Sequence, residues 1–202
     1  MLCGNYAGAV ADTLELLVLS EEKGASFWKA SGTMSKGSVL ALTGRASDAT
    51  EMLITGISAF RTGGASVFLP MYLPHLAHAH AELGQFEEAW RRIGEAMTLV
   101  ETTKQTLWEA EIHRTTGEIA LMSPTADAAK PEAYFERALE VARQQRARSW
   151  ELRAAMSMAQ LWRDQGKRDE ARELLAPIYG WFTEGFDTLD LKQAKALLDE
   201  LA

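Results

Sequence analysis

Two stretches decide the fold: Leu83-Gly84-Gln85-Phe86-Glu87-Glu88-Ala89 and Gln165-Gly166-Lys167-Arg168-Asp169-Glu170-Ala171. A weaker copy, Thr43-Gly44-Arg45-Ala46-Ser47-Asp48-Ala49, precedes the first by half the distance that separates the two. Each has one physical reading. Glycine ends a helix by taking the left-handed backbone cheaply, and the acidic residues after it suit the positive end of the next helix. The alanine then lets two helices approach. A unit of helix, turn and helix about 41 residues long follows.

Upstream of each turn a small residue recurs at Gly37, Ala77, Gly117 and Ala159, each step close to the length of one unit. A small side chain there permits close helix crossing. The coarse reading gives helices at 6–22, 25–43, 46–62, 66–83, 86–102, 105–122, 129–146, 148–165, 168–180 and 188–201. The third unit differs, since Ser123 to Lys130 replaces its turn and its second helix starts near Pro131, where a missing N–H costs nothing.

This pattern resembles the tetratricopeptide repeat, in which small and aromatic positions on a first helix meet an alanine on the second. The best matches are Leu73, Leu76, Ala77 and His80 with Ala89, Ile93 and Ala96, then Ala155, Met158, Ala159 and Trp162 with Ala171 and Leu175. The family repeat is about 34 residues, so these units carry longer helices. The resemblance implies an all-α, TPR-like right-handed superhelix, an α-α solenoid forming a single domain over residues 1–202. It has about four helix pairs, roughly 25–62, 66–102, 105–146 and 148–180. An unpaired N-terminal helix precedes them and a capping helix at 188–201 follows.

Three further runs narrow the resemblance: Ala147-Arg148-Ser149-Trp150-Glu151-Leu152-Arg153-Ala154-Ala155, Leu161-Trp162-Arg163-Asp164-Gln165-Gly166, and Tyr179-Gly180-Trp181-Phe182-Thr183-Glu184-Gly185-Phe186-Asp187. They resemble the helical region at the carboxyl end of bacterial signalling ATPases, including those fused to class III adenylate or guanylate cyclase domains. Nucleotide chemistry in that family belongs to domains upstream of the repeats. What the resemblance implies here is a regulatory, partner-binding segment.

Composition agrees with a folded chain. Apolar residues make up 47%, charged residues 24%, and the formal net charge is −7. That charge opposes a nucleic-acid or anionic-membrane surface, because both require a cationic face. The single cysteine, Cys3, reads as a free thiol in a reducing cytoplasm. The apolar patch Leu14 to Leu19 contains Glu15 and lacks a cationic leader, so it reads as a helix face.

No catalytic, cofactor or metal site is expected. Gly32-Thr33-Met34-Ser35-Lys36-Gly37-Ser38 has the glycine spacing of a phosphate loop, but Ser38 stands where that motif needs lysine, and no strand precedes it. His75, His78 and His80 are too few for a zinc site, and His80 occupies a packing position of the repeat. Glu87, Glu88, Asp169 and Glu170 read as helix-start acids. The six tryptophans, Trp28, Trp90, Trp108, Trp150, Trp162 and Trp181, read as core packing. The basic run Arg143, Arg146, Arg148 and Arg153 reads as a solvated face paired with Glu140 and Glu151.

The functional expectation rests on curvature, because the first helix of each pair lines the inner surface of such a stack. The register of the small residues projects Ser31, Met34 and Ser38, then His78 and Glu82, then Glu111, Arg114 and Glu118, then Arg153, Gln160 and Arg163 into a groove. Arg114, Arg153 and Arg163 are expected to grip a carboxylate of a protein or peptide. Two alternatives stay open. One is a sensor holding a small metabolite in the groove, and the other is self-association through an apolar stripe of Val10, Leu14, Leu17 and Val18.

Overall fold

A computed structural model describes residues 4–124 and 129–202, and these are all-helical. Ten α-helices follow in order: α1 (Tyr6–Glu22), α2 (Ser26–Leu42), α3 (Ala46–Thr62), α4 (Leu69–Glu82), α5 (Phe86–Thr103), α6 (Glu109–Met122), α7 (Ala129–Gln144), α8 (Arg148–Asp164), α9 (Arg168–Tyr179) and α10 (Leu189–Glu200). None of them is long and apolar enough to cross a membrane. Cys3 and the centre of the interrupted turn, 125–128, lie outside the described residues.

The helices are punctuated at their carboxyl ends. After α1, α2, α3, α4, α7 and α8 the same pair of bonds recurs. Ala25, Arg45, Ala65, Gln85, Ala147 and Lys167 donate their N–H to the carbonyls of Ser20, Leu40, Phe60, His80, Ala142 and Trp162 at 2.8–3.2 Å. The residue before each donor bonds three back. This is the Schellman geometry, and it needs one left-handed residue per turn. Gly24, Gly44, Gly64 and Gly84, evenly spaced along the chain, supply it with φ between 60° and 77°. Arg146 (φ 55°) takes the same role after α7, and Gly166 (φ 82°) after α8. Most helix starts, by contrast, have no side-chain cap.

The described residues form two compact units, Asn5–Trp108 and Glu109–Ala202. In the first, α1 to α5 each pack on the next, and α2 also touches α4. Close crossing depends on glycine. A Cβ on Gly37 would lie 2.8 Å from Leu53 Cγ, and one on Gly56 would lie 2.6 Å from Met34 Cγ. Met34 and Leu53 are consequently fully buried. Ala49 and Ala89, expected as contact alanines, also have no exposed surface.

In the second unit α6 packs on α7 and α8, and α8 on α7, α9 and α10. A Cβ on Gly117 would lie 2.4 Å from the Phe135 ring, which is fully buried. Ala159 and Ala171 sit in the same core, with Leu152, Met158 and Leu175. The first helices run parallel. Arg153 of α8 bonds Asp190 of α10 and Arg163 bonds Glu200, each pairing 37 residues apart.

Two helix starts differ from expectation. The helix expected from 66 begins at Leu69, because the chain first turns with Leu69 N–H on Ser66 O at 3.0 Å, and Pro70 then occupies the first helical turn. The helix expected from 105 begins at Glu109, after Lys104 turns left-handed (φ 58°) and Thr106–Trp108 form a 3-10 turn.

Candidate functional site

Of the charged residues projected onto the first helices of the second unit, Glu111, Arg114, Glu118 and Arg153 converge. Arg114 Nε and Nη2 donate to Glu111 Oε2 and Oε1 at 2.8 and 2.7 Å, the two-pronged geometry that a planar guanidinium offers a carboxylate. Its Nη1 bonds Glu118 and lies 3.3 Å from Ser157 Oγ on α8. Ser157 Oγ in turn lies 3.4 Å from Glu118 Oε1. Arg153 Nη1 stands 3.6 Å from Glu111 Oε1, its Nε donates to Asp190 Oδ2 at 2.7 Å, and its guanidinium stacks 5.2 Å from the centre of the Trp150 ring.

A single network thus crosses α6, α8 and α10. Its side chains are mostly withdrawn from water: Glu111 is 11% exposed, Arg114 16% and Asp190 18%, while Glu118 is the most open at 28%. Burial favours the neutral form of Arg114, but the attraction of Glu111 and Glu118 outweighs it and holds the guanidinium above its ordinary pKa. Among the described residues the network sets three carboxylates, Glu111, Glu118 and Asp190, against two guanidiniums, Arg114 and Arg153.

This geometry corrects the expected carboxylate grip. Four of the five N–H groups of Arg114 already point at Glu111, Glu118 and Ser157, and Arg153 is held by Asp190. Arg163 bonds Asp164 at 3.0 Å and Glu200 at 2.7 Å. The carboxylates that the arginines are expected to recruit are the protein's own. Gln160, on the same helix, is exposed.

In the first unit the projected residues divide differently. Met34 and Ser38 have no exposed surface, so neither is open to a ligand. Met34 is inserted against Gly56, and Ser38 Oγ is buried without a hydrogen-bond partner. Ser31 is also buried, with its hydroxyl on Phe27 O at 3.0 Å. His78 and Glu82 remain half-exposed, 3.5 Å apart along α4.

The packing expectation for His80 is met: it is buried, with Nδ1 2.6 Å from Gln85 Oε1. Gly32 to Ser38 is helical throughout, which leaves no loop to wrap a phosphate. Among the described residues no group of three or more His, Cys, Asp or Glu side chains is arranged to hold a metal ion. The tryptophans are less uniform than expected. Trp150 is buried, but Trp28 and Trp181 are more than half exposed, Trp28 meeting Phe27 edge-on and Trp181 lying 5.1 Å under the Arg148 guanidinium. Within the basic run Arg143 and Arg148 both bond Glu151, whereas Glu140 is taken by Arg137 and Gln144.

Sequence reading misses Ser157, Asp190 and Trp150 as members of the network. A signal exists. Asp190 follows Arg153 by 37 residues, the same step that joins Arg163 to Glu200 and Ser35 to Tyr72, whose hydroxyls are 3.1 Å apart. No protein-family model and no curated protein matches the chain.

Proposed function

We propose that the chain is a TPR-like α-α solenoid that captures a protein or peptide, performs no chemistry of its own, and serves in the cytoplasm as the regulatory region of a bacterial signalling ATPase or nucleotide cyclase system. The carrying observation is the charge network across α6, α8 and α10. Parallel first helices and evenly spaced left-handed turn residues support the solenoid, since repetition of one turn stacks like on like.

The excess of carboxylate over guanidinium among the described residues, with Glu118 the most open of them, selects the ligand chemistry. A peptide lysine or arginine approaching Glu118, the most exposed member, exchanges one charge-assisted bond for another. Panning a random peptide library on the purified chain tests this. Basic peptides are expected to be enriched and to bind about tenfold more weakly to the Glu118→Gln, Asp190→Asn variant. Enrichment of acidic peptides, or equal binding to that variant, contradicts it.

A second reading, self-association, is favoured by α1, where Val10, Leu14 and Val18 are exposed while Leu17 is half-buried beside Gly32. Sedimentation of wild type and a Leu14→Glu, Val18→Glu variant decides it. A concentration-dependent dimer lost in the variant supports it, and a wild-type monomer at every concentration removes it.

A further inference from the structure

The first unit holds a second ionic cluster, on α3 and α5, whose charges do not balance. Glu88 takes Arg91, with Oε2 2.5 Å from Nη2, and stands 3.9 Å from Arg92 Nη2. Glu95 takes Arg92 Nη1 at 3.2 Å and also pairs with Arg61. Three guanidiniums therefore share two carboxylates, and no third carboxylate among the described residues pairs with them. Arg92 is the least exposed of the three, at 12%, and its Nε–H is buried with no acceptor.

A cluster with one guanidinium in excess and a buried orphan donor is costly, and a missing anion is an ordinary reason for one. Burial and the like charge of Arg91 and Arg61 push the Arg92 guanidinium below its ordinary pKa, so an added negative charge is favoured there. Carboxylate positions on Arg91 and Arg92 are already filled by Glu88 and Glu95. Arg61 and Arg91, on two helices and 42% and 57% exposed, keep further N–H groups beside the more buried Arg92, and guanidinium forks suit the several oxygens of a tetrahedral anion.

We propose that Arg61, Arg91 and Arg92 form a binding site for a phosphate group, supplied as free phosphate or as a phosphomonoester. The site lies outside the network proposed to capture a peptide and does not depend on it. Thermal unfolding of the full chain is measured with inorganic phosphate, with phosphoserine, and with sodium chloride at matched ionic strength, alongside 31P line widths. A saturable rise in Tm with either phosphate compound, absent with chloride, is expected. The compound that saturates at the lower concentration names the source. In the Arg61→Gln, Arg91→Gln variant, binding is expected to weaken about tenfold or more. Should that variant fail to fold, Arg91→Gln alone alters only an exposed side chain, and 31P broadening is expected to saturate several-fold later. Equal stabilisation by chloride, or wild-type 31P saturation in Arg91→Gln, overturns the site.

Discussion

The two units place different chemistry on corresponding helices. On α2, Met34 and Ser38 are driven fully into the core because Gly56 and Gly37 leave room for the neighbouring helix. On α6 and α8 the comparable positions carry Glu111, Arg114, Glu118 and Arg153, which stay beneath the surface only by pairing. Apolar packing and paired charge both fill a helix face. Only the second leaves a directional, partly wet surface that another molecule can compete for.

The comparison breaks first at Met34. Truncation to Ala is expected to cost about 3 kcal/mol, read by denaturant unfolding, because a fully buried methionine leaves a cavity. Glu111→Gln is expected to cost about 2 kcal/mol, less than for a sealed ion pair because both side chains retain some water. A loss under about 0.5 kcal/mol, the size of an ordinary surface substitution, would mean that the network does not hold α6 to α8.

At the turn before α8, Arg146 occupies the left-handed region that glycine fills in the other Schellman turns. Arg146→Gly is expected to stabilise the chain by about 0.5–1 kcal/mol, read as a raised unfolding midpoint. The smallest expected effect is a pH slope. Burial, aided by Arg137, lowers the His113 pKa below its ordinary value, so the unfolded chain protonates first. Stability from this residue is intact above pH of about 6.5 and falls as pH drops toward the lowered native value. His113→Gln is expected to flatten that slope.

Helix ends are legible because each turn announces itself: Gly44, Gly84 and Gly166 are followed by acids and then by a buried alanine, all within one short run. Gly37 and Gly117 are legible as contact points for the same reason, a small residue at a fixed repeat position. The site is legible by half. Period and register name Glu111, Arg114, Glu118 and Arg153. Arg114 meets Glu111 and Glu118 at the three- and four-residue spacings of a single helix, so that pairing is legible in the sequence. The pairing of Arg153 with Asp190 depends on the 37-residue offset between α8 and α10, and a position on one helix does not specify what faces it from another. Met34 is misplaced by the register because Gly56, which admits it, belongs to a different helix from the one used to project it.

Amide chemical shifts of isotope-labelled chain, titrated with an enriched basic peptide, test the central claim most directly. Perturbations are predicted to cluster at Glu111 to Glu118, Arg153 to Gln160 and Asp190, on three helices joined by one network. Perturbations confined to α1, or scattered without these residues, contradict it.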